Sequence, residues 1–420
     1  MKTDRIEDAL AAMARGSMVV VVDDEDRENE GDLILAAEHA TPDRLAFMVR
    51  WSSGVICAAM PGERLDALNL PLMVPHNTEL MSTANTVTVD YRFGTSTGIS
   101  AADRAATLRA LMDPGAQPTD FNRPGHVFPL RAMPGGVLSR PGHTEAAVDL
   151  TRLAGLRPGG ALVEIVNDDG TMARRPQLHA FAREHGLPFI TIKDLIAYRR
   201  RTERIVERMS SCRMPTPFGV FDLVGYRELP NGREQLALVL GPVADGNDVL
   251  VRVHSECLTS EVFGSLRCDC KPQLDAAMQR VAREGRGVIV YLRGHEGRGI
   301  GLLHKLRAYA LQDEGADTVE ANVRLGLPLD GRDYAVGAQI LRDLGVQGVR
   351  LMTNNQKKYD GIADFGLHIV ERVPLISPPH EENAAYLKAK QVLMGHLLGL
   401  PTERVARGVM VTKEDVALDT

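Results

Sequence analysis

The sequence contains few cysteines, few aromatic residues and no long apolar run. Cysteine occurs 5 times in 420 residues, and the aromatic share is 5%. An odd cysteine count with three members in one short stretch does not fit the disulfide framework of a small secreted protein. No apolar run reaches the roughly 18 residues of a membrane helix, and the amino terminus lacks the apolar core of a signal peptide. We therefore expect a soluble, cytoplasmic protein without a membrane partner.

The sequence also lacks an excess of basic residues. The 49 Lys and Arg residues are outnumbered by 55 Asp and Glu residues, which gives a formal net charge of −6. A general nucleic-acid binder usually carries net positive charge, so we expect no nucleic-acid partner. The hydrophobic share of 44% is typical of a globular chain, and 420 residues are enough for two or three domains.

Alternating helix and strand patterns predict an α/β (α+β) fold class, with two mixed α/β domains in tandem and an active site in each. Helical spacing at Ile6–Ala14 is followed by a β-branched strand at Ser17–Val22, and the second half begins with strands that predict antiparallel pairing. The strongly charged stretch Tyr198–Arg208 suggests a boundary near residue 200, hence domains 1–200 and 201–420. The alternative is a charged surface helix within one large domain. The charged tail after about Glu403 is predicted to be poorly ordered.

The segment 23–32, DDEDRENEGD, follows a hydrophobic strand and holds seven acidic residues. Carboxylates packed at a strand end repel one another unless a cation or solvent relieves them, and Mg²⁺ prefers oxygen ligands. An EF-hand is excluded because its glycine and closing glutamate do not fall at the required positions. Arg27 suits a site that also holds a phosphate or sugar oxygen. The alternative interpretation is a solvated acidic loop.

Two RPGH sequences, Arg123–His126 and Arg140–His143, are each predicted to form a turn that presents a histidine. Such a histidine could ligate a metal, shuttle a proton or cap a helix. After the second one, Thr144 is predicted as the N-cap of a helix that begins near Glu145. Glu164 lies in the otherwise apolar strand GALVEIV, where a carboxylate is costly unless it is paired or functional.

Three cysteines, Cys257, Cys268 and Cys270, form a C-x₁₀-C-x-C pattern. Three thiolates at close range suit Zn²⁺ and leave the fourth position for water, which is the pattern of a catalytic site. Alternatively, His254 could close the site and make it structural. A disulfide redox centre is less favoured because no C-x-x-C occurs.

Several glycine-rich or polar loops suit phosphate. Glu296–Gly301 follows the strand GVIVYL and precedes a helix, and a helix N-terminus favours anions. No G-K dipeptide occurs and the loop does not fit G-x-G-x-x-G, which excludes a P-loop and a dinucleotide fingerprint. Asp330-Gly-Arg332 predicts a turn, and Thr353–Lys358 a loop of hydrogen-bond donors. Together with the cysteines, these segments describe a zinc site beside phosphate contacts.

On these motifs, the first half resembles 3,4-dihydroxy-2-butanone 4-phosphate synthase and the second half resembles GTP cyclohydrolase II. Their order matches the bifunctional riboflavin biosynthesis family. The resemblance covers about residues 3–400 and rests on DDEDRENEGD, RPGHTEA and VEIVNDDGTMAR in the first half and on RVHSEC, RCDC, HEGRGIGLL, DGRDY and TNNQKK in the second. It implies a homodimer that acts on the small molecules ribulose 5-phosphate and GTP.

The first resemblance implies that ribulose 5-phosphate is converted to 3,4-dihydroxy-2-butanone 4-phosphate and formate with the help of Mg²⁺ or Mn²⁺. It implies Glu28 and His143 as the metal ligands, and His126 and Glu164 as residues needed for catalysis. The implied substrate-binding residues are Arg27, Glu28, Asp32, Arg140, Pro141, Gly142, His143, Thr144 and Glu164.

The second resemblance implies that GTP is hydrolysed to 2,5-diamino-6-hydroxy-4-(5-phosphoribosylamino)pyrimidine, formate and pyrophosphate, with zinc on the three cysteines and Mg²⁺ expected on GTP. Asp330 matches the proton acceptor and Arg332 the nucleophile toward the α-phosphate. An always-protonated guanidinium is, however, a poor nucleophile and a good phosphate clamp. The implied GTP-binding residues, which include His254 and so keep the fourth zinc position open, are Arg252, Val253, His254, Ser255, Glu256, Gln273, Glu296, Gly297, Arg298, Thr318, Thr353 and Lys358.

Two other functions are weighed against this one. The first is a GTP cyclohydrolase II with a silent amino-terminal domain. The second is a zinc-stabilised regulatory module that binds nucleotides, against which the Asp330 and Arg332 pair and the open zinc position argue.

Overall fold

The computed structural model describes residues 1–401 except positions 245, 329 and 364. Within this part the chain divides into two compact units: residues 1–205 with 229–232, and residues 206–228 with 233 onward. Each unit is mixed α/β, which confirms the predicted fold class. The tail after Glu403 lies outside the described residues. In the described part, no helix is both long and apolar enough to cross a membrane.

The first unit is built on a mixed sheet. Its strands are β1 (Val19–Val22), β2 (Gly31–Ala36), β3 (Cys57–Pro61), β4 (Val89–Tyr91), β5 (Phe121–Ala132), β6 (Gly160–Glu164) and β7 (Phe189–Thr191). Among the described residues they lie in the order β4-β5-β3-β6-β2-β1-β7. The helices are α1 (Ile6–Ala14), α2 (Pro42–Ser52), α3 (Gly62–Ala67), α4 (Ala101–Met112), α5 (His143–Leu153), α6 (Arg175–Glu184) and α7 (Ile192–Thr202).

Strand β1 has a continuous apolar sequence because both faces of the sheet are covered at this strand. All four of its valines are buried. Val20 packs in one core cluster, with Leu45 of α2, and Val21 packs in a second cluster, with Met13 of α1. Since neighbouring residues of a strand point to opposite faces, a sheet covered on both faces needs apolar residues at every position.

The second unit is built on another mixed sheet. Its strands are β8 (Val206–Thr216), β9 (Gly219–Glu228), β10 (Glu234–Leu240), β11 (Val249–Ser255), β12 (Gly287–Leu292), β13 (Gly348–Met352) and β14 (His368–Val373). They lie in the order β14-β13-β11-β12-β10-β9-β8 among the described residues. The helices are α8 (Leu258–Glu261), α9 (Cys270–Glu284), α10 (Leu302–Asp313), α11 (Thr318–Arg324), α12 (Ala335–Asp343), α13 (Gln356–Ala363) and α14 (Ala384–Val392).

The predicted antiparallel start of the second half is confirmed. Strands β8, β9 and β10 pair antiparallel in sequence, and β10 pairs antiparallel with β12. Strands β12, β11, β13 and β14 are then parallel to one another. The carboxyl ends of β11, β12 and β13 therefore meet at one edge of the sheet, where ligands of open α/β sheets usually bind.

Two local predictions are wrong. Helix α5 begins at His143 with Gly142 as its N-cap, so Thr144 is a buried residue of the first turn rather than a cap. The first RPGH sequence lies inside β5 and not in a turn: Val89 faces Val127 whereas Asp90 faces Asn122, so the intervening residues bulge from the ladder. The charged stretch 198–208 covers the end of α7 and the start of β8. The sequence pattern did not predict β8, because this strand lies at the edge of the sheet and most of its residues are exposed.

Candidate functional sites

The acidic segment forms an ordered loop between β1 and β2. The carboxylate of Asp23 accepts hydrogen bonds from the backbone N–H groups of Glu28 (2.9 Å) and Glu30 (2.8 Å). The Asp23 carboxylate also accepts a hydrogen bond from the guanidinium of Arg27 at 3.0 Å. The same guanidinium donates to the carboxylate of Glu28 at 2.5 Å. The loop is therefore folded around Asp23, and its carboxylates are held in place rather than freely solvated.

The loop brings carboxylates to the first residue of α5. His143 Nδ1 lies 3.6 Å from Glu28 Oε2 and 3.9 Å from Asp32 Oδ1. Ligand atoms of Asp23, Glu28 and His143 all lie within 4.8 Å of one another. Sequence analysis did not select Asp23 as a ligand, although its position directly after an apolar strand was the available signal.

The electrostatics of this cluster fit a divalent cation. The imidazole of His143 and the guanidinium of Arg27 lower the pKa of Glu28 to about 2, whereas burial raises the pKa of Asp32 to about 7. Burial opposes protonation of His143, but the charges of Asp32 and Glu28 raise its pKa to about 9. Nε2 of His143 is buried without a hydrogen-bond partner among the described residues. Crowded carboxylates and an orphaned imidazole nitrogen are what a cation with oxygen and nitrogen ligands would satisfy.

Glu164 faces this cluster from the neighbouring strand. It is the cross-strand partner of Asp32 in the β2–β6 register. Its Oε2 accepts a hydrogen bond from the backbone N–H of Val55 at 3.1 Å. The strand carboxylate that the sequence singled out thus lies beside Asp32, in the same group as the acidic loop.

The side chain and the backbone of His126 both contact the carboxylate of Asp90. Its Nδ1 lies 2.7 Å from Asp90 Oδ2, and its backbone N–H donates to Asp90 Oδ1 at 2.9 Å. Gly98, with a φ of +97°, packs against the pair, and a Cβ there would lie 2.6 Å from His126 Nδ1. Only glycine fits this close approach, so the backbone fixes the imidazole against Asp90.

The remaining predicted residues of the first site surround the start of α5. Arg140 donates to Glu145 Oε2 at 2.7 Å and to the backbone oxygen of Met81 at 3.0 Å. Pro141 and Gly142 immediately precede the helix. Within the described residues, neither Arg140 nor His126 forms an ion pair or hydrogen bond with the Glu28–His143 cluster.

The second site lies in a cavity at the carboxyl edge of β11, β12 and β13. The predicted residues that line it are Arg252, His254, Ser255, Glu256, Cys257, Cys268, Cys270, Gln273, Glu296, Gly297, Arg298, Thr318, Arg332, Thr353 and Lys358. Two predicted residues do not line it. Val253 is buried in the sheet, and its carbonyl accepts a hydrogen bond from Lys358 Nζ at 2.9 Å. Asp330 forms an ion pair with Arg332, and Arg332 lines the cavity.

The three predicted thiols come together at one end of this cavity. Their sulfur atoms lie within 4.8 Å of one another, and the sulfurs of Cys257 and Cys268 are 3.7 Å apart. Two thiolates of a tetrahedral zinc site with bonds of about 2.3 Å would be roughly 3.8 Å apart. His254 points to a different partner, because its Nε2 lies 2.7 Å from Glu261 Oε1. The geometry fits a zinc ion with three sulfur ligands and an open fourth position.

Lys305, which sequence analysis missed, connects the thiols to the glycine-rich loop. Its Nζ donates to Cys257 Sγ at 3.2 Å and to Glu296 Oε1 at 2.6 Å. Burial opposes the charge of Lys305, but Glu296 and Cys257 raise its pKa above the usual range. The signal in the sequence was weak, because one lysine near the start of helix α10 resembles an ordinary surface residue.

The rest of the cavity is strongly cationic. Arg332 forms a two-pronged ion pair with Asp330, at 2.8 Å and 2.6 Å. Lys358 is buried, and burial together with Arg252 and Arg332 lowers its pKa well below the usual value. Among the described residues, Nε of Arg252 and one terminal nitrogen of Arg298 are buried without a hydrogen-bond partner. Crowded cations with unused donors are what a polyphosphate would satisfy.

Comparisons with known proteins find matches to both halves of the chain. A family model described as 3,4-dihydroxy-2-butanone 4-phosphate synthase matches residues 7–198, and one described as GTP cyclohydrolase II matches residues 207–374. The riboflavin biosynthesis protein RibBA of Salinispora arenicola is 63% identical over 393 residues, which cover 94% of each chain. The RibBA of Mycobacterium tuberculosis is 59% identical over 406 residues, 95% of this chain and 96% of the relative.

A solved structure is also similar along most of the chain. It is RibBX from A. baumannii, a two-domain 3,4-dihydroxy-2-butanone 4-phosphate synthase, with 39% sequence identity and a TM-score of 0.69. The match covers 88% of this chain and 99% of that one.

Proposed function

From the premise that this chain belongs to the bifunctional riboflavin biosynthesis proteins, in which a 3,4-dihydroxy-2-butanone 4-phosphate synthase precedes a GTP cyclohydrolase II, we propose which residues carry out its two reactions. The protein is both a lyase, which forms 3,4-dihydroxy-2-butanone 4-phosphate and formate from ribulose 5-phosphate, and a hydrolase, which opens GTP. The observation that carries the assignment is the presence of two separate ligand clusters, one of oxygen and nitrogen atoms and one of sulfur atoms. The first reaction is assigned to residues 1–200 and the second to residues 201–420.

In the first site, Glu28 and His143 would hold Mg²⁺ or Mn²⁺, with Asp23 as a further candidate ligand. When bound, such a cation would stabilise negative charge on neighbouring substrate oxygens. The first backbone N–H groups of α5 offer a place for the substrate phosphate. Asp90 accepts the Nδ1 proton of His126, which leaves Nε2 to exchange a proton with the substrate. Glu164 provides a second proton-transfer group beside Asp32.

In the second site, Cys257, Cys268 and Cys270 would hold Zn²⁺. When bound, zinc would activate water for attack on the imidazole ring of GTP. The basic residues Arg252, Arg298 and Lys358 would bind the triphosphate, which is expected to carry Mg²⁺. Glu296 and Lys305 lie next to the thiols and can exchange or hold protons near the reacting carbon.

We assign Arg332 the role of phosphate clamp rather than nucleophile. Although burial opposes its charge, Asp330 raises the pKa of Arg332 above the usual range, so the side chain stays protonated. The two-pronged pair with Asp330 also orients the guanidinium as a fork, which suits phosphate oxygens.

A substitution of Arg332 by lysine tests this role. Lysine keeps the charge but loses the fork, so we expect kcat/KM for GTP to fall about 10- to 100-fold, since one charge-assisted hydrogen bond is worth about 1.5–3 kcal/mol. The matched control is Arg283→Lys, at an exposed position of α9. A guanylyl group on Arg332, detected by mass spectrometry after rapid quenching of the wild type, would contradict the clamp.

One experiment tests both activities on the purified full-length chain. GTP labelled with carbon-13 at ring position 8 and ribulose 5-phosphate labelled at carbon 4 are supplied in separate tubes, with Mg²⁺ and Zn²⁺. Labelled formate, detected by NMR, is expected in both. Formate from GTP alone would favour the alternative of a silent first half, which the comparisons do not favour. Formate in neither tube, with intact fold and bound metal, would favour a regulatory module.

The family resemblance also supports a homodimer in the cytoplasm. Sedimentation of the purified chain at several concentrations tests the dimer. A monomer at concentrations where both activities are full would contradict it.

A further inference from the structure

The segment 384–398 lies beyond the residues that the GTP cyclohydrolase II model matches, which end at 374. No motif in the sequence assigned it a function. Nevertheless Tyr386, Lys390 and His396 line the same cavity as the thiols and the basic residues. The segment comprises α14 and the turn that follows it.

Lys390 is the strongest link between this segment and the zinc site. It is 7% exposed, and its Nζ lies 2.7 Å from Oδ1 of Asp269. Asp269 is 1% exposed and sits between Cys268 and Cys270 in the chain. A buried ammonium thus holds the residue that connects two of the three proposed zinc ligands.

The link continues from Asp269 into the proposed GTP site. Oδ2 of Asp269 accepts a hydrogen bond from Nε2 of Gln273, and Oε1 of Gln273 accepts one from Arg252 at 2.6 Å. Arg252 is also buried. The four side chains form a continuous buried chain of hydrogen bonds from α14 to the triphosphate-binding residues, and such networks respond together when one member is removed.

The segment is anchored on the other loops of the site as well. The guanidinium of Arg298 stacks over the ring of Tyr386 at 5.7 Å, and Nζ of Lys390 lies 4.5 Å from the same ring. The backbone N–H of Leu397 donates to the carbonyl of Asn354 at 2.9 Å. Residues 384–398 therefore contact three loops: the cysteine loop, defined here as Cys268–Cys270, the glycine-rich loop Glu296–Gly301, and the loop after β13.

We propose that Lys390 is a positioning residue for GTP hydrolysis: through Asp269 it fixes the cysteine loop, and through Gln273 it orients Arg252. The inference rests on the proposed zinc-dependent GTP site. It extends that site to a helix outside the family model, and it predicts that zinc retention and GTP binding both depend on a residue that touches neither zinc nor the reacting carbon.

The test is a set of variants of the full-length protein, loaded with zinc. Lys390→Met removes the charge and keeps the length of the side chain. Lys388→Met, at an exposed position of the same helix, is the matched control. Asp269→Asn and the double variant Lys390→Met/Asp269→Asn complete a double-mutant cycle. The readouts are the rate of zinc release to a coloured chelator and kcat and KM for GTP, with ribulose 5-phosphate turnover as the internal reference.

We expect Lys390→Met to release zinc about 10- to 100-fold faster and to raise KM for GTP, as removal of outer-shell partners typically does. Lys388→Met should match the wild type. The double variant should be less impaired than the two single changes combined, because it leaves no buried unpaired charge. If Lys390→Met fails to fold, Asp269→Asn and the double variant give the same comparison.

Two outcomes would overturn the inference. One is a Lys390→Met protein that retains zinc and binds GTP like the wild type and differs only in its unfolding temperature, and the other is strict additivity in the cycle. A wild type that holds no zinc and releases no formate from GTP would instead overturn the proposed function itself, and this inference with it.

Discussion

Replacement of Cys268 by serine is expected to lower formate release from GTP by about 10³-fold or more while ribulose 5-phosphate turnover stays at the wild-type level. The physical reason is that a bound zinc ion would lower the pKa of its water molecule from that of bulk water to about 7. A serine hydroxyl is a poor replacement for a thiolate ligand, so the ion would be lost or displaced. Formate release from each substrate and the zinc content of the purified variant are measured together.

The exposed residue Cys212 provides the matched control. Cys212→Ser should retain zinc and both activities. A chelator should give the wild type the same phenotype as Cys268→Ser, and added zinc should restore only the wild type. A Cys268→Ser protein that loses zinc but still opens GTP would show that the metal has a structural role. Unfolding of the second unit on zinc removal would point in the same direction.

Much of the fold could be predicted from local sequence patterns. The β-branched run of β1 and the apolar run Leu236–Leu240 of β10 predict strands, and all four valines of β1 are buried. The strands that the sequence did not predict either lack a buried apolar face or contain an irregularity. Strand β8 is an exposed edge, so neither face supplies an apolar pattern. Strand β5 contains an internal irregularity at the RPGH sequence, where residues typical of a turn form a bulge.

The residues of the candidate sites also fall into two groups, those that the sequence predicts and those that it does not. Residues that lie close in sequence or carry unusual chemistry, such as Glu28 and Cys268, could be found from motifs. Residues that contribute from a distant element could not. Lys390 lies 121 positions from its partner Asp269 along the chain, and its burial is set by tertiary packing alone. Nothing in its local sequence separates it from Lys388, which is exposed.

A substitution at the first site is expected to impair ribulose 5-phosphate turnover and to leave GTP hydrolysis intact. Glu28→Gln should lower formate release from ribulose 5-phosphate by roughly 10²- to 10³-fold, because a Lewis-acid cation contributes several kcal/mol of charge stabilisation. The pKa of Glu28 is about 2, so the wild-type side chain is ionised throughout the neutral range, and the amide removes a full charge. GTP hydrolysis should not change. The measurements are turnover of both substrates and the Mg²⁺ concentration that gives half-maximal synthase activity.

The neighbouring Glu25 separates a metal ligand from a general effect of loop charge. It belongs to the same acidic segment but is exposed, and Glu25→Gln changes the net charge by the same amount. We expect Glu25→Gln to behave like the wild type and Glu28→Gln to require more Mg²⁺ as well as to turn over more slowly. Equal losses in the two variants would mean that the loop acts through its overall charge, and the cation would then have to be assigned to Asp23 and Asp32 with His143.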